Sequence, residues 1–154
     1  LAYAFYTGEA VDAPDLDGPH VDVMVRESIL EQASAIASRC AELIKTEKVE
    51  PSDIVVLVAK RPKAQLQGSL NRLKLPNGVR WTFEQRADNA VLVETVGRFK
   101  GLEAPIVILW AGDEIIDPVE RETAYVGTSR ANYLLVVVGS AVATHFLAPN
   151  VKAG

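Results

Sequence analysis

Residues 95–110 read TVGRFKGLEAPIVILW, and how they are divided decides the fold. The run VLVETV (91–96) leads in and IVILW (106–110) leads out; both are short, apolar and rich in β-branched residues. Between them lie Gly97, Arg98, Lys100, Gly101 and Glu103, three charges and two glycines. Apolar runs of four to eight residues bounded by glycine and polar side chains read as buried strands, not as one long helix. The polar insert is therefore a connection between two strands of a covered sheet.

Working outward, IVVLVA (54–59) and YLLVVVG (133–139) are apolar at nearly every position. Such runs suit strands covered on both faces, as in parallel sheets. VDVMV (21–25) alternates like a strand, and VRWTF (79–83) follows the turn residues Pro76, Asn77 and Gly78. Ser28 and Glu31 have capping-box spacing, and Ile29, Ala33, Ile36, Cys40 and Leu43 form one apolar stripe, which predicts a helix. KAQLQGSLNRLK (63–74) and DPVERETAYVGTSRA (117–131) are further helical segments, the second opened by Asp-Pro. Residues 8–20 and 84–90 read as loops, and the tail from Ser140 as one weak turn. Strands alternating with helices predict an α/β fold: a mostly parallel sheet with helices on both faces. Ligands in such folds gather at the carboxyl ends of the strands, and the segment after VLVETV and the corner at Arg130 are expected there.

The chain has 154 residues, of which 49% are hydrophobic and 23% charged, which fits one soluble globular domain spanning residues 1–154. It opens on Leu1, not Met, in strand-like sequence, the expectation for a piece of a longer protein. The single Cys40 excludes an internal disulfide framework and suits a reducing, cytoplasmic compartment; on the helix stripe it reads as a small core side chain. His20 and His145 are far apart, and no cluster has metal-ligand spacing. The net charge of −4 gives no general attraction for nucleic acid, so any such contact is local. No run is long enough to span a bilayer.

Two polar segments carry the chemistry. In TVGRFKGLE, Arg98 and Lys100 suit phosphate, Glu103 suits ligand hydroxyls such as those of a ribose, and the glycines permit close backbone approach. The plainer reading is a connection with solvated charges. In AYVGTSRANYLLVVVG, Arg130 directly precedes a buried strand, where a guanidinium suits phosphate oxygens; the plainer reading is a surface salt bridge. Trp81, Trp110, Tyr125 and Tyr133 border apolar segments and read as core aromatics.

Taken together, ETVGRFKGLEAPIVIL followed by TAYVGTSRANYLLVVVG resembles the fifth and sixth motifs of UvrD/Rep-like superfamily 1 DNA helicases. Those motifs belong to the second RecA-like motor domain. The helix SILEQASAIASRCAELI and the following EPSDIVVLVAKRPKAQ resemble the start of the same domain, so the likeness covers roughly residues 20–140. The resemblance implies a RecA-like, P-loop NTPase-like fold. G-x-x-x-x-G-K-[ST] is nowhere in the chain, so the phosphate-binding half of the motor would be a separate first domain and this chain alone would not hydrolyse ATP efficiently.

The resemblance also implies roles. Arg130 matches the arginine finger. Glu103 matches the ribose carboxylate, with Gly101 and Lys100 beside the nucleotide. In the fourth-motif region, where the family places an arginine near the γ-phosphate, Lys60, Arg61 and Lys63 crowd the spot, and Arg61 is the candidate. Thr95, Gly97 and Arg98 match the face that meets single-stranded DNA, and Phe99 is the aromatic in that motif with a claim to base stacking. Gly97 stands where a histidine is usual. ATP with Mg²⁺ would be held mainly by the first motor domain of the same polypeptide. Single-stranded or partly duplex DNA would be the other partner, and no membrane is implied. Only EQRADNA (84–90) stands where many relatives insert an accessory domain, which favours translocation over strand separation. A RecA-like domain kept only to bind protein or DNA is the alternative from another class. A small flavodoxin-like nucleotide binder is a third, lacking a phosphate loop of its own.

Overall fold

The computed structural model describes residues 19–59, 63–112, 124 and 126–148. Arg61, and most of the segment 117–131 read as a helix, lie outside the described residues. Among the described residues six strands form one sheet: β1 (His20–Val25), β2 (Ile54–Val58), β3 (Arg80–Thr82), β4 (Ala90–Thr95), β5 (Ala104–Gly112) and β6 (Ala131–Gly139). Their order is β1-β6-β5-β2-β4-β3, and every pairing is parallel. Among the described residues the α-helices with both ends described are α1 (Ile29–Lys45), α2 (Lys63–Asn71) and α3 (Ala141–Leu147).

The period of two along each strand divides the core. Ile54, Val56, Val58, Ile106, Ile108, Trp110, Val136 and Val138 face one side, under Ile36, Cys40 and Leu43 of α1 and Leu66 and Leu70 of α2. Val55, Leu57, Val107, Leu109, Leu135 and Val137 face the other, with Phe99, Ala143 and Leu147. All five residues of β2 are buried, as the unbroken apolar run requires of a central parallel strand.

Local signals explain the helix ends. In α1 the Glu31 amide donates to Ser28 Oγ at 3.1 Å and the Glu31 carboxylate accepts from the Ser28 amide, so the capping box is complete. The weak turn read at the tail is instead the seven-residue α3, whose start is capped by Ser140 through the Ala143 amide. Trp110 is buried, and its indole N–H donates to Gln32 Oε1 at 2.8 Å. The Gln32 amide nitrogen donates in turn to the Arg26 carbonyl at 2.8 Å. Gln32 thereby satisfies the polar edge of the largest core side chain. Trp81 packs on the same core and donates to the Leu73 carbonyl at 2.8 Å. Tyr133 departs from expectation: it is 37% exposed. Between the paired positions Ala104–Ala131 and Ile106–Leu134, Pro105 of β5 stands opposite both Asn132 and Tyr133 of β6. This irregularity lifts Asn132 and Tyr133 from the regular alternation.

Among the described residues, no helix is long and apolar enough to cross a membrane. No group of His, Cys, Asp or Glu among them could hold a metal ion.

Candidate nucleotide rim

β5 and β6 begin earlier than their apolar runs, at Ala104 and Ala131. These two alanines are register partners in the parallel pair. Each follows a candidate residue, so Glu103 and Arg130 lead into adjacent strands at one level. The Ala104 amide donates to the Arg130 carbonyl at 2.9 Å, which joins the two strand starts directly. The rim they form is at the amino ends of the strands, which corrects the expectation that the Arg130 corner sits at the carboxyl ends. Both residues stand before a strand in the chain, and in an all-parallel sheet that alone fixes the end at which they lie.

Arg130 follows a tightened last turn: the Ser129 amide donates to the Val126 carbonyl and the Arg130 amide to the Gly127 carbonyl, each at 3.2 Å. Gly127 allows this turn to lie close against the sheet, since a Cβ there would come within 2.9 Å of Leu109 Cδ1. Arg130 is half-buried, and its Nε is buried with no hydrogen-bond partner among the described residues. An unsatisfied buried donor on a cation costs about 1–3 kcal/mol or more, and native structures rarely leave one without a use. The surface salt bridge allowed for by the sequence does not occur with any described residue. The Glu103 side chain is exposed and has no partner among the described residues. The residues present therefore fit an anionic, hydroxyl-bearing ligand such as a nucleotide, which supplies acceptors for Arg130 and donors for Glu103.

The segment 96–103 is a crossover without a full helix. It carries the chain from the carboxyl end of β4 back down the sheet to the amino end of β5. Thr95 pairs with Val58, and Val58 with Trp110, so Thr95 is level with a residue six places beyond Ala104. At the rise of a strand the two ends of the crossover are about 20 Å apart. Thr95, Gly97 and Arg98 are thus at the opposite edge of the sheet from Glu103 and Arg130, and the structure does not bring the two sets together.

At the upper end, Thr95 starts one helical turn. Its Oγ1 accepts from the Arg98 amide at 3.2 Å and its carbonyl accepts from the Phe99 amide at 3.1 Å. Gly97 is exposed with open space where a Cβ would stand, so its backbone does not require glycine and the histidine usual there would fit. Arg98 is 65% exposed, and its Nε lies 3.4 Å from Glu94 Oε2. The buried Glu94 also accepts from the Thr95 amide at 2.9 Å. In the sequence Glu94 is one polar position in a strand; its two-residue offset from Leu92 is the signal that places it on a covered face.

Phe99 is 1% exposed and packs among Val55, Leu57 and Val96, which corrects its assignment to base stacking. A ring closing the core beneath the crossover has no free face for a base. Lys100 is exposed, and its amide donates to the Gly97 carbonyl at 3.3 Å. Gly101 has φ +80°, a left-handed backbone that a side chain would strain, so glycine is needed there. Arg86, read only as part of a loop, donates from Nη2 to the Glu103 carbonyl at 2.6 Å. No sequence pattern marks it, because its partner is 17 residues away. Away from this rim, Cys40 is fully buried, and burial pushes its thiol up from 9.0 to about 12, as befits a core side chain.

Residues 90–138, which include both rim residues, match the family model of the UvrD-like helicase C-terminal domain. Among solved structures, the chain is similar to the C-terminal domain of a possible DNA helicase from Lactobacillus plantarum WCFS1. The TM-score is 0.63 and the identity 22%, over 96% of this chain and 89% of that one; at this identity the likeness is one of fold. No curated protein matches the chain. The family resemblance carried by the sequence motifs and the α/β, RecA-like architecture are both borne out.

Proposed function

We propose that this chain, with its UvrD-like helicase C-terminal segment, is the second motor domain of an ATP-dependent DNA helicase or translocase. The observation that carries the reading is the amino-edge rim, where Arg130 and Glu103 stand side by side. Among the described residues, one has a buried nitrogen without a partner and the other a carboxylate without a partner.

In this reading a first RecA-like domain of the same polypeptide presents ATP with Mg²⁺ to the rim. Glu103 accepts hydrogen bonds from the ribose hydroxyls and sets the register of the nucleotide. Arg130 places its guanidinium on the γ-phosphoryl oxygens, where charge builds as the bond to the β-phosphate breaks. Such arginines are worth about 10³ to 10⁵ in rate in other phosphoryl-transfer enzymes. Because the finger and the phosphate loop are on different domains, hydrolysis requires the cleft to close. Thr95, Gly97 and Arg98 meet single-stranded DNA through its backbone, without reading sequence. The 96–103 crossover then links the strand-contacting end of the sheet to the nucleotide rim.

The test is ATPase activity of the complete polypeptide with and without single-stranded DNA. Stimulation by DNA, with no sustained turnover by the 154-residue chain alone, supports the motor. A complete polypeptide that binds DNA but never hydrolyses ATP would show a binding module instead.

A further inference from the structure

The Glu103 carbonyl and the Ala104 amide belong to one peptide group. The carbonyl accepts from Arg86 Nη2 at 2.6 Å, and the amide donates to the Arg130 carbonyl at 2.9 Å. The peptide is thus gripped at both ends, by a side chain on one side and by the residue that leads into β6 on the other. Arg86 has a second hold on the same crossover, its Cζ standing 5.4 Å from the centroid of the Phe99 ring. A guanidinium within about 6 Å of a ring is attracted to its face. Phe99 itself is fixed in the core. Arg86 therefore ties the exposed Glu103 to a rigid point in the sheet packing, across a segment built of turns and not of a full helix.

We infer that Arg86 is a positioning residue for the nucleotide rim: it fixes the Glu103–Ala104 peptide so that the Glu103 carboxylate and Arg130 address one ligand. The inference rests on the reading of Glu103 and Arg130 as nucleotide contacts. Arg86 is exposed and is not part of the core. Its value is in the direction it gives to Glu103. Lysine replaces it only in part, because one ammonium cannot lie over Phe99 and reach the carbonyl with a flat fork at the same time.

The experiment is steady-state, DNA-stimulated ATPase of the complete polypeptide carrying Arg86→Ala, Arg86→Lys, Glu103→Ala, and Arg86→Ala with Glu103→Ala, alongside thermal unfolding of each. Loss of a contact that binds substrate and transition state equally raises KM without lowering kcat. Arg86→Ala is expected to raise KM for ATP about tenfold with kcat within about twofold, Arg86→Lys to recover part of that loss, and the double variant to match Glu103→Ala alone. The inference is overturned if Glu103→Ala raises KM while Arg86→Ala does not. It is equally overturned if the two losses multiply in the double variant, or if Arg86→Ala only lowers the unfolding temperature, which would make it a cover for Phe99. If Glu103→Ala leaves KM for ATP unchanged, the nucleotide reading of Glu103 is itself wrong and the inference goes with it.

Discussion

Glu103 and Arg130 lead into neighbouring parallel strands at the same level, joined by a 2.9 Å hydrogen bond from the Ala104 amide to the Arg130 carbonyl. They are far apart in sequence, and the register of β5 on β6 makes them neighbours. The roles proposed for the two side chains predict different kinetic signatures, because a ribose contact would be present before and during reaction and a γ-phosphoryl contact would strengthen as charge develops.

In its proposed role Glu103 would be a charged acceptor of ribose hydrogen bonds, each worth about 1.5–3 kcal/mol, and substitution by alanine would remove them. The expected result is a KM for ATP raised roughly 10- to 100-fold with kcat little changed. Titration of a fluorescent nucleotide onto the complete polypeptide checks the same loss in affinity without turnover.

Glu94 is expected to matter for stability as well as for Arg98. Glu94→Ala leaves the Thr95 amide without its 2.9 Å acceptor and releases the Arg98 guanidinium. A loss of about 1–3 kcal/mol is expected, read from the urea midpoint at constant slope. Single-stranded DNA affinity should fall in parallel, since Arg98 loses its orienting partner.

Gln32→Leu removes the acceptor for the Trp110 indole and the donor to the Arg26 carbonyl while keeping the volume similar. The cost should again be about 1–3 kcal/mol, since the indole N–H stays buried without a partner. Urea denaturation followed by tryptophan fluorescence measures it, and a neutral result would mean that the hydrogen bond adds nothing to the packing.

The Cys40 thiol is raised from 9.0 to about 12 by burial, so the native state holds its proton where the unfolded chain has lost it. The contribution to stability is complete below pH 9, and it is lost as pH rises from there toward about 12. Its slope is at most about 1.4 kcal/mol per pH unit. Unfolding measured at pH 8 and pH 10 should show a decline that is smaller in Cys40→Ala. At pH 8 a thiol reagent should react only as fast as the chain opens.

Much of the architecture is legible in the sequence because it rests on local rules. The β2 run is apolar throughout since both its faces are covered, and Ser28 and Glu31 mark the start of α1 because their reciprocal bonds span three residues. The pairing of KGLE with the Arg130 segment is legible through family likeness. What escapes depends on where a segment lies over the sheet. Phe99 is polar-flanked in sequence, and only the path of the crossover puts its ring in the core. Arg86 gains meaning only from a carbonyl 17 residues onward. The exposure of Tyr133 follows from a register irregularity between β5 and β6 that its apolar neighbours conceal. Grouping the rim residues with the polar loop after β4 puts them at the wrong sheet edge, because they precede β5 and β6.

The most direct measurement is single-turnover ATP hydrolysis by the complete polypeptide carrying Arg130→Ala, with DNA and saturating nucleotide, beside a nucleotide-binding titration of the same variant. A hydrolysis rate lower by about 10³-fold or more is expected, with affinity within a few-fold of the parent. Hydrolysis at the parent rate would contradict the proposed role of Arg130, and its buried nitrogen, without a partner among the described residues, would then need another explanation.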